Sequence, residues 1–250
     1  APLEVLLDER APAALVLVHW FGFPEPATLR VAELCRARDV ILVEDCCHCL
    51  GARLGDRPVG RIGDYAMASL HKVLPVPAGG YLEANGDRPL PGSLPPGTEI
   101  QARDLAVLAG ADLDQAARRR RANYQDLRAR LADVPGVRPF HDELPDGAVP
   151  LNLPLLVQEA DRYEVYKAMR ARGVGVVALY HTLVDALEPE TFPRAFRLSE
   201  RILNLPVHQE LGDAELHWVA RALREAMTEL SGPGEGAATG PGTGARAGEA

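Results

Sequence analysis

Short apolar runs alternate with longer amphipathic stretches along the first third of the chain. Ala14 to Val18 is continuously apolar and leads into His19-Trp20-Phe21-Gly22. That pattern predicts a strand buried on both faces and closed by a turn, entered almost at the start of the chain. Pro24 and Pro26 open a helix to about Arg38, with Ala27, Val31, Leu34 and Cys35 on one side. Val40 to Val43 predicts a second buried strand ending at Glu44-Asp45, Tyr65 to Leu70 a third and Gly80 to Glu83 a fourth. Short apolar strands with an intervening helix imply an α/β fold with a mostly parallel sheet.

The pattern changes after the fourth strand. Residues 85–98 are rich in Pro and Gly and predict a linker. Residues 101–133 read as helical and contain Arg118–Arg121, a run that points in every direction around the axis and reads as solvated. Residues 151–157, 174–179 and 203–207 are strand candidates, with a helix from Asp161 to Arg172 between the first two. Residues 213–230 give the clearest amphipathic helix, with Leu216, Val219, Ala220, Leu223, Met227 and Leu230 on one face. From Ser231 onward little remains to bury, which predicts a disordered tail. The expected organisation is an α/β domain over 1–90, a helical linker and small C-terminal α+β domain over 91–230, and a tail over 231–250.

Composition narrows the function classes. With 47% apolar and 25% charged residues the chain is ordinary for a soluble globular protein. A net charge of −8 argues against nucleic acid as a partner. No apolar run is long enough to cross a bilayer, and no basic segment precedes an apolar one as in a secretory signal. Three of the four cysteines fall within Cys46–Cys49, unlike an extracellular disulfide framework, so a reducing cytoplasmic location is expected. The start at Ala1 rather than Met leads us to expect an internal point of a longer protein. Of 27 basic residues only Lys72 and Lys167 are lysines, so each is a candidate for a specific role.

Ligands of open α/β sheets sit at the carboxyl ends of the strands. Here those ends carry His19 and Gly22, then Asp45 and His48, then Ser69 and Lys72 followed by Gly79-Gly80. A carboxylate, a hydroxyl and a rare lysine at one rim form the set a pyridoxal phosphate site needs. The lysine condenses with the aldehyde, and the carboxylate keeps the pyridine nitrogen protonated. The hydroxyl can donate to a phosphate oxygen. Cys46-Cys47-His48-Cys49 invites a zinc reading, but neighbouring residues point in different directions and no second Cys/His pair follows at ligand spacing, so no metal is expected. His19 is expected to shape a turn, and His71, His181 and His208 to be structural or rim residues.

Several motifs occur in order: His19-Trp-Phe-Gly22, Val43-Glu-Asp45-Cys-Cys-His48-Cys-Leu-Gly51, Gly60-Arg-Ile-Gly63-Asp64, Ser69-Leu-His-Lys72 and Gly79-Gly80. Together they resemble the DegT/DnrJ/EryC1/StrS sugar aminotransferases, which are fold-type-I pyridoxal-phosphate enzymes. The resemblance spans about residues 14–85 and continues more weakly to about 230, through the Arg-rich helix before Tyr124, Arg172-Gly173-Val174 and Asn204-Leu-Pro206-Val-His208. It implies a partial fold-type-I large domain, with Lys72 as the catalytic, Schiff-base lysine and Asp45 as the partner of the pyridinium. His48 stands where the family often has Gln beside the ring hydroxyl, and Ser69 would contact phosphate, at a spacing from Lys72 shorter than in many members. The chain departs from the pattern in two places: nothing corresponds to the family's segment before the His-x-x-Gly strand, which cups the phosphate, and the Gly-x-Asn-x-Arg segment is not found.

The resemblance implies an aminotransferase that moves an amino group from an amino acid such as glutamate to a keto-sugar nucleotide, working as a homodimer. The alternative is a truncated, catalytically impaired homologue that serves as an interaction or structural module through its open side. A strand edge left uncovered would invite a partner.

Overall fold

The computed structural model describes residues 2–87, 89–90, 92, 97, 101–179 and 182–231. A helix, α1 (Leu3–Arg10), comes first, so the chain does not pass directly into a strand. There follow β1 (Ala14–Val18), α2 (Thr28–Arg36), β2 (Ile41–Asp45), a small hairpin of β3 (Arg53–Leu54) and β4 (Arg57–Pro58), β5 (Tyr65–Ser69) and β6 (Gly80–Ala84). The second half holds α3 (Ala102–Gly110), α4 (Leu113–Arg130), β7 (Val137–Pro139), β8 (Asn152–Val157), α5 (Arg162–Ala171), α6 (Pro193–Ser199), β9 (Ile202–Pro206) and α7 (Asp213–Leu230).

The first sheet has the order β1-β2-β5-β6. β1, β2 and β5 run parallel, and β6 returns antiparallel to β5. Leu17 and Leu42 from the sheet pack with Leu7 of α1 and Val31, Leu34 and Cys35 of α2. β1 is not buried on both faces as its apolar run predicts: Val16 is 53% exposed, because the helices cover only the opposite face, that of Leu15 and Leu17. The α2 helix starts at Thr28, later than the prolines suggest, and Ala27 stays exposed. Pro24 and Pro26 belong instead to the turn after Gly22, where the Thr28 hydroxyl donates to the Glu25 carbonyl.

The long helical stretch after residue 100 divides in two. Ala111 is extended, and the Asp112 carboxylate caps α4 by accepting from the Gln115 amide at 2.7 Å. A carboxylate at that position satisfies an otherwise open N–H and restarts the helix. The second sheet, β7-β8-β9, is antiparallel throughout. The 174–179 candidate adds only an isolated bridge between Val177 and Asn204 rather than a strand. Residues 137–139 and 193–199, not singled out by periodicity, form β7 and α6; both are too short to show a period.

Helix α7 has the expected bounds, and Leu216, Val219, Ala220, Leu223 and Met227 are buried against the second sheet's core. Leu230, at its last turn, is 36% exposed because the helix outruns the layer it covers. Each fully buried Leu or Met on that face contributes roughly 1.5–3 kcal/mol over exposure. Phe21 and Phe23, from the turn after β1, also lie in this second core, so the two sheets share packing. The predicted tail (231–250) beyond Ser231, His181 and most of the second half of the predicted linker lie outside the described residues.

Candidate functional site

The turn after β1 is tied to the second half of the molecule. The Leu151 amide donates to the Phe21 carbonyl at 2.8 Å and the Val149 amide to the Gly22 carbonyl at 3.0 Å. Gly22 has φ +92°, and a β-carbon there would meet the Val149 carbonyl oxygen at 2.0 Å. Only glycine permits that approach. The Phe21 amide donates to Nδ1 of His48 at 3.2 Å, so the imidazole carries its neutral-form proton on Nε2. The Trp20 and Phe21 rings lie 6.3 and 6.2 Å from the His48 ring.

In β2, alternation buries Leu42 and Glu44 and turns Val43 and Asp45 to the less covered side. Glu44 is fully buried yet well supplied with donors. The Ile62 and Gly63 amides each donate to its Oε1 at 2.7 Å, the Gly60 amide donates to its Oε2 at 3.0 Å, and His19 Nε2 lies 3.2 Å from Oε2. Burial pushes this carboxyl upward, but the His19 hydrogen bond and the three amides outweigh it and hold the group below its usual range. The Gly60-Arg-Ile-Gly63 motif is therefore a loop folded around a buried carboxylate. Its closing Asp64 accepts from the Leu42 amide at 2.8 Å.

Nδ1 of His19 accepts from the Glu25 amide at 3.0 Å, which leaves Nε2 as the N–H facing Glu44. His19 thus shapes the turn, as expected, and also fills a buried polar pair. His19, Glu44 and Cys46 bring ligand-type atoms within 4.8 Å of one another. The His19 ring and the Glu44 oxygens are already engaged in these bonds, the Cys46 thiol donates to the Glu44 backbone carbonyl at 3.8 Å, and burial beside Glu44 and Asp45 raises that thiol. That is the environment of a packed thiol rather than a metal-binding thiolate.

Asp45 ends β2 beside β5, and Lys72 lies in the turn that follows β5. The Asp45 carboxylate accepts from the Cys47 amide at 3.0 Å. The Cys47 thiol is pushed up to about 11 by burial and by its hydrogen bond to Asp45, with the Lys72 charge opposing. His48 is pushed down to about 4 by burial and then by the Lys72 ammonium, with Asp45 opposing. One thiol and one imidazole therefore feel both the carboxylate and the amine. Ser69 closes β5, its hydroxyl 3.2 Å from Nδ1 of His71. Opposite it, the Leu70 amide donates to the Gly79 carbonyl at 2.9 Å, and a β-carbon on Gly80 would meet the Ala68 oxygen at 2.5 Å. The glycine pair thus lets β6 close against the lysine-bearing turn.

Two residues at this site were not legible in the sequence. Arg120, read as part of a solvated arginine run, is 2% exposed. Its guanidinium donates to the Lys72 carbonyl at 3.2 Å, to the Pro150 and Leu151 carbonyls at 3.3 Å each, and to Gln209 Oε1 at 2.6 Å. Gln209 in turn donates to the Val73 carbonyl at 2.7 Å. Four consecutive arginines offer no sign of which one turns inward; only the packing of α4 against β8 and the lysine turn selects it.

An amine, a carboxylate, a neutral imidazole and a hydroxyl on one rim suit a ligand bearing an aldehyde, a basic ring nitrogen, a ring hydroxyl and a phosphate. No helix among the described residues is long and apolar enough to cross a membrane.

The chain matches the DegT/DnrJ/EryC1/StrS aminotransferase family over residues 2–87 and 98–224. It is 27% identical to the dTDP-4-dehydro-2,3,6-trideoxy-D-glucose 4-aminotransferase of Saccharopolyspora spinosa, across 87% of this chain and 66% of that protein. Among solved structures, the aminotransferase TlmJ from Streptoalloteichus hindustanus superposes with a TM-score of 0.68 at 23% identity, covering 86% of this chain and 66% of that one. DesI, solved in the presence of its TDP-sugar product, gives a TM-score of 0.68 at 26% identity, over 86% of this chain and 62% of its own. The chain thus spans just under two thirds of the length of these relatives.

Proposed function

This chain belongs to the DegT/DnrJ/EryC1/StrS aminotransferase family, and from that premise we propose that it carries the reactive lysine of a pyridoxal-phosphate-dependent aminotransferase. The reaction is transfer of an amino group from an amino acid, such as glutamate, to a keto-sugar nucleotide. The acceptor class rests on the name of the Saccharopolyspora relative, whose substrate is a dTDP-linked dehydro sugar. The single observation that carries the reading is that Asp45, at the end of β2, lies directly beside β5, whose following turn carries Lys72.

When bound, the cofactor supplies an electron sink through its protonated ring. Lys72 would hold it through its amine, and that amine, once displaced by the incoming amino group, would accept and return a proton as general base and acid. The Asp45 carboxylate would favour a proton on the ring nitrogen, because an adjacent negative charge favours the cationic form. His48, kept neutral at physiological pH, would stand beside the ring hydroxyl, and Ser69 would donate to a phosphate oxygen. We infer that the protein acts in the cytoplasm as a homodimer, with an α/β part over residues 1–90 and a smaller α+β part to about 230.

A cofactor titration followed by borohydride reduction tests the reading. The folded protein should gain visible absorbance with pyridoxal 5′-phosphate, and peptide mapping should place the reduced adduct on Lys72. Lys72→Ala should abolish both signals. An adduct confined to Lys167, or none on a folded protein, would refute the assignment. The exposed Val16 on the uncovered face of β1 favours a second reading, an interaction module without catalysis. Lysine-dependent cofactor binding by this chain would exclude it.

A further inference from the structure

Lys72 lies in a tight turn after β5, where the Val73 and Leu74 amides donate back to the Leu70 carbonyl at 3.0 and 2.8 Å. Two carbonyls of this turn meet side chains from the second half of the molecule. Arg120, on α4, holds the Lys72 carbonyl, and Gln209, just after β9, holds that of Val73. The two side chains are also bonded to each other at 2.6 Å. The remaining Arg120 bonds go to the Pro150 and Leu151 carbonyls, next to the residue that fastens the Phe21 turn.

All four acceptors of Arg120 are uncharged oxygens. Burial lowers this guanidinium to about 10, with Glu210 opposing, so it stays protonated at neutral pH. Burying a cation without a bonded carboxylate is costly, and such groups persist where their donors hold several backbone carbonyls in place. We infer that Arg120, braced by Gln209, is a positioning residue for Lys72: the pair fixes the backbone that carries the reactive amine, so the amine's placement depends on α4 and the segment after β9. This rests on the proposed role of Lys72, but the grip itself can be measured without cofactor.

The lysine census supplies an internal standard, because Lys167 sits on α5 and pairs with Glu164 at 2.7 Å, away from the turn. The full chain would be compared as wild type, Arg120→Met and the milder Gln209→Ala, which keeps the buried cation. In the absence of cofactor, hydrogen exchange at the Val73 and Leu74 amides should quicken by about tenfold or more, the expected cost of losing charge-assisted bonds. Reductive methylation read by mass spectrometry should show a changed Lys72-to-Lys167 ratio and a displaced pH profile for Lys72. Unchanged exchange at Val73 and Leu74 in Gln209→Ala and in any folded Arg120→Met would overturn the grip. Faster exchange with a wild-type methylation ratio and pH profile would overturn the positioning role. Failure of the wild type to form a Lys72 adduct with pyridoxal phosphate would sink the cofactor reading alone, leaving the grip decided by exchange.

Discussion

Glu44 shows how much a single residue's meaning depends on its surroundings. In the sequence it sits beside Asp45 at the end of an apolar strand, and either carboxylate could face a ligand. Strand alternation sends Glu44 inward to three amides and His19, while the Asp45 carboxylate accepts from the Cys47 amide at the strand end. Because the folded-state pKa of Glu44 lies below its ordinary 4.5, its contribution to stability is present above that pH and is lost as pH falls through the folded value. Glu44→Gln should therefore cost about 2 kcal/mol at pH 7, the scale of hydrogen bonds to a charged group. The gap to wild type should narrow as the solution is acidified below about pH 4.5. Urea unfolding at pH 7 and pH 4 measures it, and a gap that does not shrink would contradict this account of the carboxylate.

At the scale of elements, the connections carry the specificity and the strands supply the frame. β1, β2 and β5 could be placed from apolar runs alone, yet the site depends on the turn after β1 and the turn after β5. Gly22 is the sharpest case, since it combines a positive φ with a backbone oxygen where a side chain would stand. Gly51 shares the positive φ but meets nothing within 4 Å. Gly51→Ala should thus cost only the left-handed backbone penalty, about 1–2 kcal/mol. Gly22→Ala should cost about 3 kcal/mol or more, because the Val149 segment must also move. Equal losses for the two variants in thermal or urea melts would show that the close approach does not matter.

For the molecule as a whole, the question is whether the two sheets behave as one body. Each has a core of its own, but Phe21 and Phe23 are embedded in the second core, and Arg120 and Gln209 reach back to the lysine turn. Such cross-packing should make unfolding cooperative. Trp20 lies in the first-sheet turn and Trp218 on α7, so each reports on one part. Single-tryptophan versions, made as Trp20→Phe and Trp218→Phe, should give coincident denaturation midpoints by fluorescence once corrected for each variant's stability by circular dichroism. Two separated transitions would show that the parts fold independently.

Periodicity and local chemistry were enough to place the parallel strands, the capped α5 helix and the full span of α7, because alternation and 3.6-residue spacing are properties of short windows. They were also enough to single out Asp45, His48, Ser69 and Lys72, since strand ends collect polar residues in a recognisable order. Tertiary structure alone decided that Val16 lies on an uncovered face, that β6 runs antiparallel, that Asp112 interrupts a helix and that one of four arginines turns inward to hold the lysine turn. Those outcomes depend on which distant surfaces meet, and no local pattern encodes a hydrogen bond between a residue at 72 and partners at 120 or 209.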